Sequence, residues 1–189
     1  MLAVELRPLA MSDLARVISW SQDEAFCLAN GWPLGLSPEK LQDWFVRLLN
    51  NPPADLVRRG IVLRSQEHPE GLLVGFVDLR DLNPLERRAR LRIAIGEESH
   101  RGQGVGYAAG RAMLAYGFGE LGLERITAEV QGSNVPMRHL LEKLGFRLEG
   151  ILRRHETRQG VKEDLYLYGM LREEFEEANR FLPPNCLPD

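Results

Sequence analysis

The segment that most constrains this chain is a strand running into a glycine-rich turn. Leu91-Arg92-Ile93-Ala94-Ile95-Gly96 reads as a strand, and Gly102-Gln103-Gly104-Val105-Gly106 opens a helix on which Val105, Ala109, Ala112 and Tyr116 keep helical spacing. The first N–H groups of such a helix lack intrahelical partners, and the macrodipole favours negative charge there. Glycines let an anion approach the backbone closely, so a diphosphate is the natural guest. A tight turn that binds nothing would give the same local pattern. A dinucleotide fingerprint fits poorly, because its glycines follow the first strand of a parallel unit and these follow the fourth. No Gly-Lys-Ser/Thr closes the loop, which removes the P-loop reading.

The elements around this segment imply one mixed α/β domain. Ala3 to Leu9 alternates as a strand, and Ser12 offers an N-cap for a helix carrying Leu14, Val17 and Ile18. After a loop from Asn30 to Gly35, Ser37 and Pro38 start a helix with Leu41, Trp44, Phe45, Leu48 and Leu49 on one face. Leu56 to Ser65, Leu72 to Leu82 and Arg87 to Gly96 read as strands joined by short turns, which suits antiparallel neighbours. A helix from Gly104 to Leu121, a strand from Arg125 to Gln131, a helix from Val135 to Leu144 and a hairpin of Phe146 to Arg158 with Val161 to Leu171 complete the chain. The order β-α-α-β-β-β-α-β-α-β-β predicts a mixed central sheet of about seven strands with helices on both faces, and a ligand where the strand order changes direction. The domain is expected over residues 1–180, with a flexible tail over 181–189.

Composition narrows the function classes. With 189 residues, 44% hydrophobic and 27% charged, the chain can bury a sizeable core. A net charge of -3 gives no basic footprint for nucleic acid. The two cysteines, Cys27 and Cys186, are far apart, so neither a disulfide framework nor a metal site is expected. No run approaches the ~18 apolar residues of a membrane span, and a cytoplasmic location is the expectation.

Three ordered motifs resemble the GNAT superfamily of acetyltransferases. Arg101-Gly102-Gln103-Gly104-Val105-Gly106 resembles its pyrophosphate-binding loop. Ser133-Asn134-Val135 through Leu144-Gly145-Phe146 resembles its second signature, an Asn opening a helix that ends in Leu-Gly-Phe. Glu163 through Glu174 is similar to the closing strand of the branch containing the Rim-type ribosomal-protein acetyltransferases. The resemblance implies acetyl-CoA as co-substrate and direct attack by an amine, without an acyl-enzyme. It implies cofactor contacts at Ala94, Ile95 and Gly96, where the fourth and fifth strands splay, at Arg101, Gly102, Gln103, Gly104, Val105 and Gly106, and at Asn134, which also reads as a helix N-cap. It further implies a homodimer and an amine-bearing acceptor, either a peptide N-terminus or a small molecule such as an aminoglycoside or amino acid.

The chain departs from its relatives at the acid. The Tyr that many relatives place seven residues after the Asn is Leu141, and the Ser that others place three residues after it is Met137. Neither donates a proton. Solvent, Ser133, Tyr166 and Tyr168 stand as alternatives, with Tyr168 taken as the candidate acid. Glu129 is the candidate base, ahead of Glu97, Asp78 and Asp164. Loss of the acid also leaves a catalytically impaired CoA-binding module as a rival.

Arg88, Arg90 and Arg92 alternate with apolar residues on one face of the fourth strand. They either pair with neighbouring carboxylates or, through Arg90 and Arg92, clamp an acidic acceptor. Trp32 stacks on the acceptor or packs over the core, and His155 is either an approach to the acceptor or a solvated side chain.

Overall fold

The computed structural model describes residues 3–66 and 68–180; the expected tail over 181–189, Cys186 included, lies outside the described residues. Seven strands form one sheet: β1 (Ala3–Arg7), β2 (Val57–Arg64), β3 (Leu72–Asn83), β4 (Arg88–Ile95), β5 (Arg125–Gln131), β6 (Arg147–Arg158) and β7 (Val161–Leu171). Their order is β1-β2-β3-β4-β5-β7-β6, and only the central β4–β5 pair is parallel. The short turns before β3 and before β4 give antiparallel neighbours, as their length requires.

Among the described residues, six α-helices cover both faces. α1 (Leu14–Ser21), α2 (Glu24–Asn30) and α3 (Pro38–Asn50) precede β2. α4 (Val105–Ala115) follows β4, α5 (Val135–Leu144) follows β5, and α6 (Arg172–Asn179) follows β7. Alternation along the strands separates two cores. Val77, Leu79, Leu91, Ala128 and Val130 face α4 and α5, with Met113 and Leu141 packed among them. Phe76 and Ala94 face the other way, onto Val17, Trp20, Phe26 and Phe45 of the first three helices.

Most ends follow the expected chemistry. Ser37 Oγ accepts from Lys40 N with Pro38 in the first turn, and Gly145 closes α5 in the left-handed region at φ 100°. Ser12 does not cap α1. Asp13, 4% exposed, stands at the N-cap position, yet its side chain caps no N–H of α1: it accepts from Ala10 N at 2.8 Å and binds Arg7 through both oxygens. Ser12 falls inside the short 3-10 turn, Met11–Asp13, that precedes α1, which removes it from the cap position.

Two helices escaped the periodicity. α2 is only seven residues long and is set by its Asp23 cap and by burial of Phe26, too short for a repeat to show. α6 is polar except where Phe175 meets Phe118 at 5.2 Å. The helix expected from Gly104 to Leu121 changes character after Ala115 into a wider π-helical turn, Tyr116–Glu120, which contains Gly117 and Gly119.

Candidate active site

The parallel pairing of β4 with β5 spans only Arg88–Arg125 to Arg90–Thr127. β4 stays paired with β3 to Ile95, and β5 with β7 to Gln131. The two strands therefore part at their C-terminal ends, and β4 from Leu91 to Ile95 presents an unpaired edge. A cleft of about 600 Å³ opens at this split. Arg92, Ile93, Ala94 and Ile95 line it from one strand, and Glu129, Val130 and Gln131 from the other.

At one end of the cleft stands the glycine loop. Gly102 and Gly104 have φ of 72° and 84°, left-handed values that L side chains rarely adopt, and Gly104 caps α4. An added Cβ at either would meet no atom within 4 Å, so the space before this backbone is open. Among the described residues the N–H groups of Gly102, Gln103 and Gly104 have no backbone partner, and those of Val105 and Gly106 lie in the first helical turn. Such a set of free donors fits a diphosphate.

Not every expected loop side chain faces a ligand. Arg101 donates from Nε to Ile95 O at 3.3 Å, and Gln103 Nε2 donates to Ser99 O at 2.6 Å, so both side chains brace the loop. Gln103 does not line the cleft, and Val105 is a core residue, which confines any ligand contact from these two to the backbone. Gly96 is likewise not part of the lining. A Cβ there would sit 2.1 Å from the Trp20 ring, and its N–H bonds Val74 O at 2.8 Å, so packing accounts for this glycine.

Asn134 lines the cleft and caps α5 at once: its Oδ1 accepts from Met137 N at 3.2 Å, and among the described residues its amide donors have no partner. Beyond it Met137 and Leu140 face the cleft, whereas Leu141 is fully buried in the core.

The proposed acid is corrected. Tyr168 is 1% exposed, belongs to the core beneath α5, and donates to Glu142 Oε1 at 3.0 Å. Burial pushes its phenol upward, which keeps it a neutral hydrogen-bond donor. The other sequence candidates lie elsewhere as well. Ser133 donates to Glu163 at 2.7 Å, and Tyr166 sits under the Arg138 guanidinium at 4.0 Å. Among the described residues lining the cleft, Tyr107 carries the single hydroxyl.

For Trp32 the structure shows the packing alternative. Its ring stacks on Phe76 at 5.6 Å and contacts Phe26 and Trp44 edge-on, so it packs the second core while Ala29, Asn30 and Gly31 reach the cleft. His155 is exposed beside Arg154 and Asp164, outside the cleft.

Of the carboxylates, Glu129 does line the cleft, paired with Arg90. Glu97 accepts from Arg16 at 2.8 Å and Trp20 Nε1 at 3.1 Å, Asp164 accepts from Arg154 N, and Asp78 is buried against Arg58. Arg90 binds both Asp81 and Glu129. Arg92 lines the cleft without any such partner among the described residues, and its guanidinium is held below the ordinary arginine range by burial and by nearby Arg80, Arg58 and Arg90, against the pull of Asp78.

Sequence reasoning missed Arg80, Gln131 and Glu156. Arg80 is the cross-strand partner of Arg90, and the alternation that grouped Arg90 with Arg92 would have flagged it once β3 and β4 were registered. Glu156 comes into the cleft through a register shift in β6 between Leu152 and Glu156, which no periodicity reveals.

A sheet split between parallel strands, with a glycine-opened helix start at its mouth, defines a mixed α/β domain whose cleft lies where the central strands part. The family described as acetyltransferase (GNAT) domain matches residues 3–147, and the chain belongs to that family. An uncharacterized N-acetyltransferase, p20 of Bacillus licheniformis, is 36% identical over 54% of this chain, and the chain spans 57% of that relative's length. The spermidine N(1)-acetyltransferase of Escherichia coli K12 is 30% identical over 79% of this chain and 76% of its own length. The crystal structure of a spermidine N-acetyltransferase from Vibrio cholerae, in complex with CoA and spermine, superposes with a TM-score of 0.80 over 91% of this chain and 97% of that one. At 23% identity that likeness speaks for the fold.

Proposed function

We propose that residues 1–180 form a cytoplasmic N-acetyltransferase that moves an acetyl group from acetyl-CoA to a primary amine. The observation that carries this reading is the parting of β4 and β5 after Arg90 and Thr127, with the free N–H groups of Gly102 to Gly106 at the mouth of the gap. The loop amides hold the diphosphate, and the unpaired edge of β4 from Leu91 to Ile95 offers strand-like hydrogen bonds to the amides of the pantetheine arm. Acetyl-CoA supplies the thioester: a C–N bond forms, the C–S bond breaks, and the proton lost by the amine ends on sulfur. Glu129, on the exposed part of the cleft floor, is the residue assigned to receive the amine proton. The relatives named as N-acetyltransferases support the reaction class.

A second reading is a CoA-binding module without turnover. It is favoured by one observation: of the two α5 positions where relatives carry the acid, Met137 faces the cleft without a hydroxyl and Leu141 is buried in the core. Steady-state thiol release from acetyl-CoA across a panel of amines and peptides tests both. Turnover on any amine establishes the transferase. CoA binding by calorimetry with no turnover on any acceptor supports the module.

A further inference from the structure

Arg58, Arg80, Arg90 and Arg92 share one face of the β2–β3–β4 ladder, the last three lining the cleft, and their partners divide them into two pairs. Arg58 is committed to Asp78, and Arg90 to Asp81 and Glu129. Arg80 and Arg92 are not committed. Asp78 is the cross-strand partner of Arg92, and Arg80 that of Arg90, so Arg80 and Arg92 sit diagonally on one face of the β3–β4 ladder.

Both line the cleft, and Arg80 Nε is buried without any hydrogen-bond partner. Among the described residues neither side chain forms an ion pair, although carboxylates are near. Asp78 has spent both oxygens on Arg58, and Glu129 is held by Arg90. Glu156 accepts from Gln131 at 2.9 Å and lies 3.8 Å from Arg158. Two like charges kept partly desolvated and unpaired cost stability, and such a cost is sustained where a ligand completes the pairing.

We propose that Arg80 and Arg92 together form a receptor for a carboxylate on the acceptor, so that the acetylated amine belongs to an amino acid or to a peptide with an acidic residue near its N-terminus. The inference rests on the acetyl-transfer reading of the same cleft. Planar guanidinium groups present paired donors that match a carboxylate, and each such charge-assisted bond is stronger than a neutral one. A polyamine would bring positive charge onto two uncompensated cations, which opposes its binding. The sequence stripe of Arg90 and Arg92 is thereby reassigned: Arg90 organises Glu129, and Arg80 takes its place in the receptor.

The test uses the full chain, acetyl-CoA and matched acceptors: free glutamate, a C-terminally amidated Ser-Glu peptide, its Ser-Lys counterpart and spermidine. At least one of the two acidic acceptors is expected to exceed Ser-Lys and spermidine in kcat/KM by about tenfold or more. Free glutamate against the peptide tells whether the carboxylate is that of an amino acid or of a peptide side chain. Arg80→Gln and Arg92→Gln are each expected to raise the KM of the acidic acceptor by about tenfold while the KM of acetyl-CoA holds, and Arg92→Lys to restore part of it. Their Tm is expected to stay level or rise, since an unpaired charge is removed, which separates lost recognition from lost folding. Spermidine or the Ser-Lys peptide performing as well as the acidic acceptors overturns the proposal, as does an unchanged acceptor KM in both variants. CoA binding without turnover on any amine removes the acetyl-transfer reading and this proposal with it.

Discussion

Arg58 grips Asp78 from the neighbouring strand with two parallel hydrogen bonds, Nε to Oδ1 at 2.7 Å and Nη2 to Oδ2 at 2.6 Å. The carboxylate is wholly buried, and the guanidinium lies against the Phe76 ring at 4.6 Å. This pair fixes the charge balance of the cleft floor, because it takes away the one carboxylate that stands opposite Arg92.

Breaking that pair from one side strands a buried guanidinium. Asp78→Ala is expected to cost about 3–5 kcal/mol of stability, read from the midpoint of urea unfolding. Replacing both partners with apolar residues of similar size is expected to cost far less than the single change. A double variant as unstable as Asp78→Ala would remove this account.

Gly104 is a test of the anion cradle. Its φ of 84° costs an L residue about 1–2 kcal/mol, yet a new Cβ meets no atom within 4 Å. Gly104→Val should therefore fold with a modestly lower Tm and bind CoA at least about tenfold more weakly by calorimetry, since the altered backbone misdirects the loop donors. A folded variant with unchanged affinity would take the diphosphate site elsewhere.

The two carboxylate and phenol candidates separate by position. Glu129→Gln is expected to lower kcat by about 100-fold with little effect on CoA affinity, because the base is lost and the loop is untouched. Tyr168→Phe is expected to leave kcat within about twofold and to cost about 1 kcal/mol of stability through its lost bond to Glu142. A large fall in kcat for Tyr168→Phe with normal stability would return the phenol to the chemistry.

The pair of Arg125 with Glu149 gives an acid-sensitive contribution to stability. Hydrogen bonding by Arg125 holds the Glu149 carboxyl below its ordinary value of 4.5. A group depressed in the folded state stabilises above its unfolded pKa and loses that contribution as pH falls through the folded value. Both side chains are more than one-third exposed, so the effect is about 0.5 kcal/mol or less. The Tm gap between the native chain and Glu149→Gln should be present at pH 7 and close as pH drops below about 4.5. A gap independent of pH would contradict the assignment.

What the sequence alone determined was local. Alternation gave the seven strands to within a residue or two, Ser37-Pro38 and Asn134 to Gly145 gave two helix frames, and Gly102 to Gly106 gave the glycine-rich start of α4, because each of these depends on neighbours within a few residues. The split between β4 and β5, the burial of Tyr168 and the packing of Trp32 onto Phe76 were decided only by the tertiary structure. So was the division of the arginines into satisfied and unsatisfied pairs. Charge pairing across a sheet depends on register and on which carboxylate reaches which arginine first, and those contacts join residues as far apart in the chain as Arg58 and Asp78 or Arg90 and Glu129. Identical side chains on one strand can thus acquire opposite roles, and only the folded neighbourhood tells them apart.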